Sequence, residues 1–212
     1  MSDKLEEYRG TGIVVRFEGM KCIHSRHCVL EEPAVFEANA EGPWIHPEEG
    51  SPEASVAVAH NCPSGAITYE RIAGGAQESA PAVNTAQVRE NGPVTLHADL
   101  RVDGNLASFR VAFCRCGASK NKPYCDASHF AAGFKASGEP VTQSSEPATR
   151  RDGLVNVVPL KDGPLEATGN LEVCSGTGRT ILRTQQTYLC RCGGSANKPF
   201  CDGTHKAIGF AS

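Results

Sequence analysis

Short runs in which apolar and polar side chains alternate recur along this chain, punctuated by Gly, Pro, Asn and Asp. Thr11–Phe17 reads as a β-strand, and Ala66–Glu70 as a second strand able to pair with it. Between them, Ser51-Pro52-Glu53 offers an N-cap, a proline at the first helical position and an acid in the first turn. This predicts a helix over Ala54–His60 that stops at Asn61, because Cys62-Pro63 follows and Pro63-Ser64-Gly65 makes a turn. Trp44, between Pro43 and Pro47, is expected to pack. Further along, alternation predicts strands over Val94–Val102 and Ala107–Phe113, and again over Leu165–Val173 and Thr180–Leu189. Residues 75–90 have linker composition, and the polar stretch 136–152, with Pro140 and Pro147, reads as a connector.

The last four strands belong to an internal repeat. Asn91-Gly92-Pro93 recurs as Asp162-Gly163-Pro164 at an offset of 71, and Leu100-Arg101-Val102 as Leu171-Glu172-Val173 at the same offset. After each pair of strands comes one cysteine-rich stretch: C-R-C-G-A-S-K-N-K-P-Y-C-D-A-S-H at Cys114–His129 and C-R-C-G-G-S-A-N-K-P-F-C-D-G-T-H at Cys190–His205. These two are offset by 76, so the second copy has a longer loop, at Ser175–Gly178.

Composition sharpens this picture. Aromatics are 6% of 212 residues, while there are 22 glycines and 13 prolines. A large conventional core is not expected, and small units short of core rely on metal or disulfide staples. Ten cysteines are present, nine of them in three groups of three, with Cys174 left over as a half-buried strand-end residue, a reactive thiol or a further ligand for the N-terminal group. The N-terminal residues have no apolar signal region and no apolar run reaches transmembrane length, so metal-bound thiolates in a reducing cytoplasm are expected, with no membrane association. A net charge of −3 and a pI near 6.2 argue against nucleic-acid binding.

Each repeated stretch orders three cysteines and a histidine as C-x-C-x8-C-x3-H. Two cysteines one residue apart can reach one metal. Asp126 and Asp202 are good N-caps, so a helix is expected to begin there and to place His129 and His205 one turn from Cys125 and Cys201. The charges Arg115, Lys120, Lys122, Arg191 and Lys198 are either solvated loop residues or groups that offset cofactor charge and meet an acidic partner. Spacing alone leaves both zinc and a 2Fe–2S cluster open, since Cys3His serves zinc and histidine can replace cysteine on iron.

The pattern C-x-C-x2-S-x3-P-x-C-D-G-[ST]-H resembles the signature of the CDGSH iron–sulfur domain family. The second copy matches throughout; the first departs at Ala127, where the family has glycine. The resemblance implies one 2Fe–2S cluster per copy, held by Cys114, Cys116, Cys125 and His129 in the first and by Cys190, Cys192, Cys201 and His205 in the second. It also implies strands intertwined between two copies, here as an internal pseudo-dimer in a monomeric chain.

A third constellation lies near the N-terminus: Cys22 and Cys28 as C-x5-C, and Cys62-Pro63. A cysteine before proline recurs in ferredoxin cluster loops. The segment resembles the divergent single-cluster ferredoxins. Three thiolates favour a 3Fe–4S cluster; a 4Fe–4S cluster needs a further ligand, for which His24, His27, water or an external group are candidates.

The expected fold class is α+β, with a small ferredoxin-like domain over residues 1–74, a linker over 75–90, and CDGSH-type repeats over 91–140 and 141–212. No catalytic triad, carboxylate pair or phosphate-cradling loop is visible. The chain is therefore expected to transfer electrons to a redox partner and not to act as an enzyme. Storage or delivery of clusters to an apo-protein acceptor, or redox or pH sensing, is the alternative, and a zinc-stabilised interaction module a second one.

Overall fold

Residues 5–212 are described by the computed structural model, which divides into two units, Met1–Ser79 and Ala80–Ser212. The first unit holds a three-stranded antiparallel sheet in the order β1-β2-β3. Its elements are β1 (Leu5–Gly10), β2 (Ile13–Glu18), α1 (His27–Glu31), α2 (Pro52–Asn61) and β3 (Ile67–Arg71). The expected strand is thus one arm of a hairpin that turns at Thr11-Gly12, with Gly12 at φ +78°. The other arm, L-E-E-Y-R-G, escaped the sequence because both of its faces are largely polar. The pairing of β2 with β3 is as expected, from Ile13↔Arg71 to Phe17↔Ile67. So is α2, whose Ser51 Oγ accepts the Ala54 N–H at 3.1 Å. Trp44 packs edge-on against Phe17, ring centroids 4.8 Å apart, beside the fully buried Val35, Phe36 and Ile45.

The second unit is built on one sheet in the order β7-β6-β9-β10-β4-β5-β8, with β11 also paired to β10. Its elements are β4 (Thr85–Val88), β5 (Val94–His97), β6 (Asp99–Val102), β7 (Asn105–Leu106), β8 (Arg110–Phe113), α3 (Ser128–Ala131), β9 (Leu154–Pro159), β10 (Leu165–Cys174), β11 (Thr180–Leu189) and α4 (Thr204–Ala207). The stretch 75–90, expected as a linker, therefore carries a strand. Its Ala86 and Val88 alternate with polar residues and are fully buried, a signal of four residues lost in Ser- and Ala-rich surroundings. β9, six residues just after the polar connector, was also missed.

Pairing between the two repeats is reciprocal. β6 runs parallel to β9, with Arg101↔Asn156 and Val102↔Val157. β10 runs parallel to β4, with Glu172↔Thr85 and Val173↔Ala86. A shift of 71 residues converts one set of pairs into the other, so each repeat lends the end of its second strand to the first strand of its neighbour. One apolar core results, with Val94, Leu96, Leu100 and Phe113 from the first copy and Val155, Leu165, Val173 and Leu189 from the second, all at most 1% exposed. The expectation of a meagre core fails here because two lean repeats pool their apolar faces.

Candidate metal centres

In each repeat the ligand stretch leaves the last strand, loops back and returns through a four-residue helix. The helices begin later than expected. Their N-caps are Ala127 and Gly203, both left-handed at φ +67° and +89°, and His129 and His205 are the second helical residues. Asp126 and Asp202 still organise the turn. Asp126 Oδ1 accepts the Ser128 N–H at 3.0 Å and Oδ2 the Lys120 N–H at 2.8 Å. Asp202 makes the same pair with Thr204 and Ala196, at 3.0 and 2.8 Å. Each carboxylate thus ties the ligand loop to the helix start, and these bonds hold both carboxyls below the usual range. Alanine in a left-handed conformation costs about 1–2 kcal/mol. Ala127→Gly is therefore expected to stabilise the chain by roughly 0.5–1 kcal/mol after the added chain entropy is counted, measured by denaturant unfolding of the metal-loaded protein.

The donor atoms stand in pairs. Cys114 Sγ and Cys116 Sγ are 3.7 Å apart, and so are Cys190 Sγ and Cys192 Sγ. Cys125 Sγ lies 3.5 Å from His129 Nδ1, and Cys201 Sγ 3.3 Å from His205 Nδ1. Two thiolates at two corners of one tetrahedral metal, with bonds of about 2.3 Å, stand about 3.8 Å apart; a thiolate and an imidazole nitrogen stand about 3.5 Å apart. Each pair therefore fits one metal. Among the described residues no three His, Cys, Asp or Glu donors gather around a single ion.

Backbone N–H groups already point at the sulfurs. Ala118 N–H donates to Cys116 Sγ, Gly194 N–H to Cys192 Sγ and Gly203 N–H to Cys201 Sγ, each at 3.4 Å. Burial works the other way: it raises the Cys125 thiol to about 12 and pushes Cys190 up as well. These thiols are poor free nucleophiles, and a cation is what converts them to thiolates. In the Cys114–Cys116 pair the neighbouring sulfur favours the thiolate on Cys114 and disfavours it on Cys116.

The two arginines of the C-R-C stretches are not solvated loop charges. Arg115 and Arg191 are 1% and 3% exposed. Arg115 donates to the carbonyls of Gly92 at 2.8 Å, Ser137 at 3.2 Å and Ala136 at 3.2 Å, and Arg191 to those of Gly163 at 3.0 Å and Leu160 at 2.7 Å. Each clamps the turn before its own repeat's second strand and lies over an aromatic ring, Phe134 or Phe210, at 5.4 Å. Each also lies in electrostatic reach of the other repeat's first cysteine, Arg115 of Cys190 and Arg191 of Cys114. Lys122 and Lys198 hold the carbonyls of Ser119 and Ser195 inside the ligand loops.

The two loops meet. Cys116 and Cys192 form an antiparallel bridge. Beside them, Gly117 (φ +81°) and Gly193 (φ +79°) lie so close that an added Cβ would stand 2.5 Å from the Cys192 carbonyl oxygen and 2.4 Å from that of Cys116. This contact joins residues far apart in sequence, and no local pattern announces it. The copies differ in one respect: His129 is 5% exposed beneath Phe130, ring centroids 4.2 Å apart, whereas His205 is only part-buried and is followed by Lys206.

In the N-terminal unit, Cys22, Cys28 and Cys62 line one cavity of about 700 Å³. Burial raises the Cys22 thiol and lifts Cys28 to about 11, with the neighbouring thiols adding to both. The cavity's size and its three sulfurs fit an iron–sulfur cluster. Of the other ligand candidates, His24 and His27 also line the cavity, and His27 Nδ1 lies 3.1 Å from Glu31 Oε1. His60 Nε2 lies 3.0 Å from the Tyr69 hydroxyl, in keeping with a helix-end role. Cys174 ends β10, is 7% exposed and donates to the Glu172 carbonyl at 3.7 Å.

Known proteins match along these divisions. A family model described as a divergent 4Fe–4S mono-cluster covers residues 8–71, and one described as an iron-binding zinc finger of CDGSH type covers 86–130 and 162–206. The chain is 39% identical over 62 residues to the uncharacterized protein YjdI of Escherichia coli strain K12, which is 29% of this chain and 80% of that protein. The YjdI of Escherichia coli O157:H7 matches to the same extent. Among the described residues no helix is long and apolar enough to cross a membrane.

Proposed function

Since this chain belongs to the CDGSH-type iron-binding family, in two tandem copies behind a divergent 4Fe–4S mono-cluster domain, we propose that it is an electron carrier with two 2Fe–2S clusters and one 3Fe–4S or 4Fe–4S cluster. The observation that carries this reading is the paired spacing of the donors. Two separate pairs in each repeat suit two irons bridged by sulfide, whereas zinc needs its donors around one point. When bound, such clusters supply one-electron chemistry.

The residues divide the work. Cys114, Cys116, Cys125 and His129 hold the first 2Fe–2S cluster, and Cys190, Cys192, Cys201 and His205 the second. Cys22, Cys28 and Cys62 supply one thiolate to each of three irons in the N-terminal unit. The tandem repeats act as an internal pseudo-dimer, a reading supported by their reciprocal strand register and by the Cys116–Cys192 bridge. That bridge puts Cys116 and Cys192, one residue from each set that would hold a cluster, on neighbouring backbone. The chain carries no catalytic group of its own in this reading; it works in a reducing compartment and meets a redox partner protein.

A second reading, delivery of a cluster to an apo-protein, is favoured by the partial exposure of His205, the ligand through which a cluster would be released. The test is a count of iron and acid-labile sulfide in anaerobically purified protein, with visible spectra and EPR of the reduced form. Coloured protein with two irons and two sulfides for each tandem repeat is expected. Colourless protein holding zinc and no sulfide overturns the proposal.

A further inference from the structure

The N-terminal unit brings three thiols to a site whose family description names four irons. Ferredoxin loops supply three ligands to a cluster as C-x2-C-x2-C and the fourth from a distant Cys-Pro. Cys22, Ser25 and Cys28 fall at i, i+3 and i+6, and Cys62-Pro63 is the distant member. Only the middle thiol is missing, and the residue in its place differs from cysteine by one atom.

We infer that Ser25 Oγ is the fourth ligand of the N-terminal cluster, holding one iron by oxygen where the other three are held by sulfur. This rests on the reading of the unit as a cluster site. Ser25 lines the same cavity as Cys22, Cys28 and Cys62. The residues on either side of it, His24 and Arg26, are both left-handed, at φ +53° and +65°. Side chains adopt that conformation at a cost of about 1–2 kcal/mol each, and paired strain of this kind collects at ligand sites. Left-handed residues in such a loop turn backbone N–H groups toward one side, the arrangement that surrounds anionic iron–sulfur centres. The His24 N–H already donates to Cys22 Sγ at 3.4 Å.

The competitors are less well placed. His24 falls off the three-residue repeat. His27 lies against Glu31, which also accepts from Asn61 Nδ2 at 2.8 Å. Ser64 is buried, but its hydroxyl sits 3.8 Å from Cys62 Sγ, beside a corner that is already filled. As the O–Fe bond forms, the Ser25 hydroxyl gives its proton to solvent; no electron moves. Oxygen is a harder donor than thiolate, so this corner holds the iron that is most easily lost.

The test uses the full chain, reconstituted anaerobically, as wild type, Ser25→Ala, Ser25→Cys and Ser64→Ala. Oxidised 2Fe–2S and 4Fe–4S centres are EPR-silent, and an oxidised 3Fe–4S centre is not. Ser25→Ala is expected to lose one iron per chain with its sulfide unchanged, and to gain an oxidised-state EPR signal of about one spin per chain. Ser25→Cys and Ser64→Ala are expected to keep the full iron count and to stay silent. A Ser25→Ala variant that retains all its iron, or a wild type that already shows the full three-iron signal, overturns the assignment of Ser25. Wild type and variants that all lack iron and sulfide beyond the tandem repeats' share overturn the cluster reading of the N-terminal unit itself.

Discussion

Gly193→Ala is expected to strip metal from both tandem repeats, although it changes no ligand. A Cβ there meets the Cys116 carbonyl carbon at 2.9 Å and its oxygen at 2.4 Å, and neither can swing aside because both are backbone. The left-handed φ of +79° adds its own penalty. Backbone strain of about 1–2 kcal/mol and overpacking of about 1–3 kcal/mol place the loss near 2–5 kcal/mol. The strain falls on Cys116, a proposed ligand of the other repeat, and pushes apart the bridge between the loops. Iron and sulfide counts should fall in both copies together, and Gly117→Ala should do the same by the mirror contact with Cys192. Loss confined to the altered copy, read by pairing each variant with Cys-to-Ala changes in one repeat, would show that the two sites are independent.

His205→Cys is expected to do the reverse and make its site more durable. Three thiolates and a neutral imidazole leave a cluster one unit of negative charge poorer than four thiolates, which eases reduction. The substitution should therefore lower that site's potential by on the order of 200 mV, judged from the span between histidine-ligated and all-cysteine centres. It should also slow cluster loss in acid. Imidazole leaves a metal when it is protonated, below about pH 6 for an unperturbed ring. His129 is buried, and burial holds its pKa below the ordinary value. Its neutral, metal-binding form is thus favoured in the folded chain, and the first copy's cluster is retained above that lowered pKa and lost only as the pH falls through it. The more exposed His205 site should empty first, so wild type is expected to bleach in two phases. His205→Cys should remove the fast phase and leave the slow one. A single phase that His205→Cys leaves unchanged would sink the role given to this histidine.

The donor pairs were legible from sequence because each is local. C-x-C and C-x3-H span one to four residues, and turn geometry alone brings their side chains together. The strands of the repeats were legible where alternation ran for eight or more residues, as in β10 and β11. It failed at β4, four residues inside an apparent linker, and at β1, whose two faces are both largely polar. The start of α3 was misplaced because Asp126 caps from outside the helix, through an inserted left-handed residue that no propensity marks.

The sequence by itself determined which donor residues stand near one another in the chain, and that in each tandem repeat all four fall within one short stretch. The tertiary structure alone decided that the repeats exchange strands, that Arg115 and Arg191 are buried clamps, and that Cys116 and Cys192 stand side by side. The physical reason is range. Ligand spacing is fixed by covalent geometry over a few residues, whereas a strand with period-two alternation carries no label for its partner. That choice is made only when two lean repeats, neither with enough apolar surface alone, find in each other the core they share.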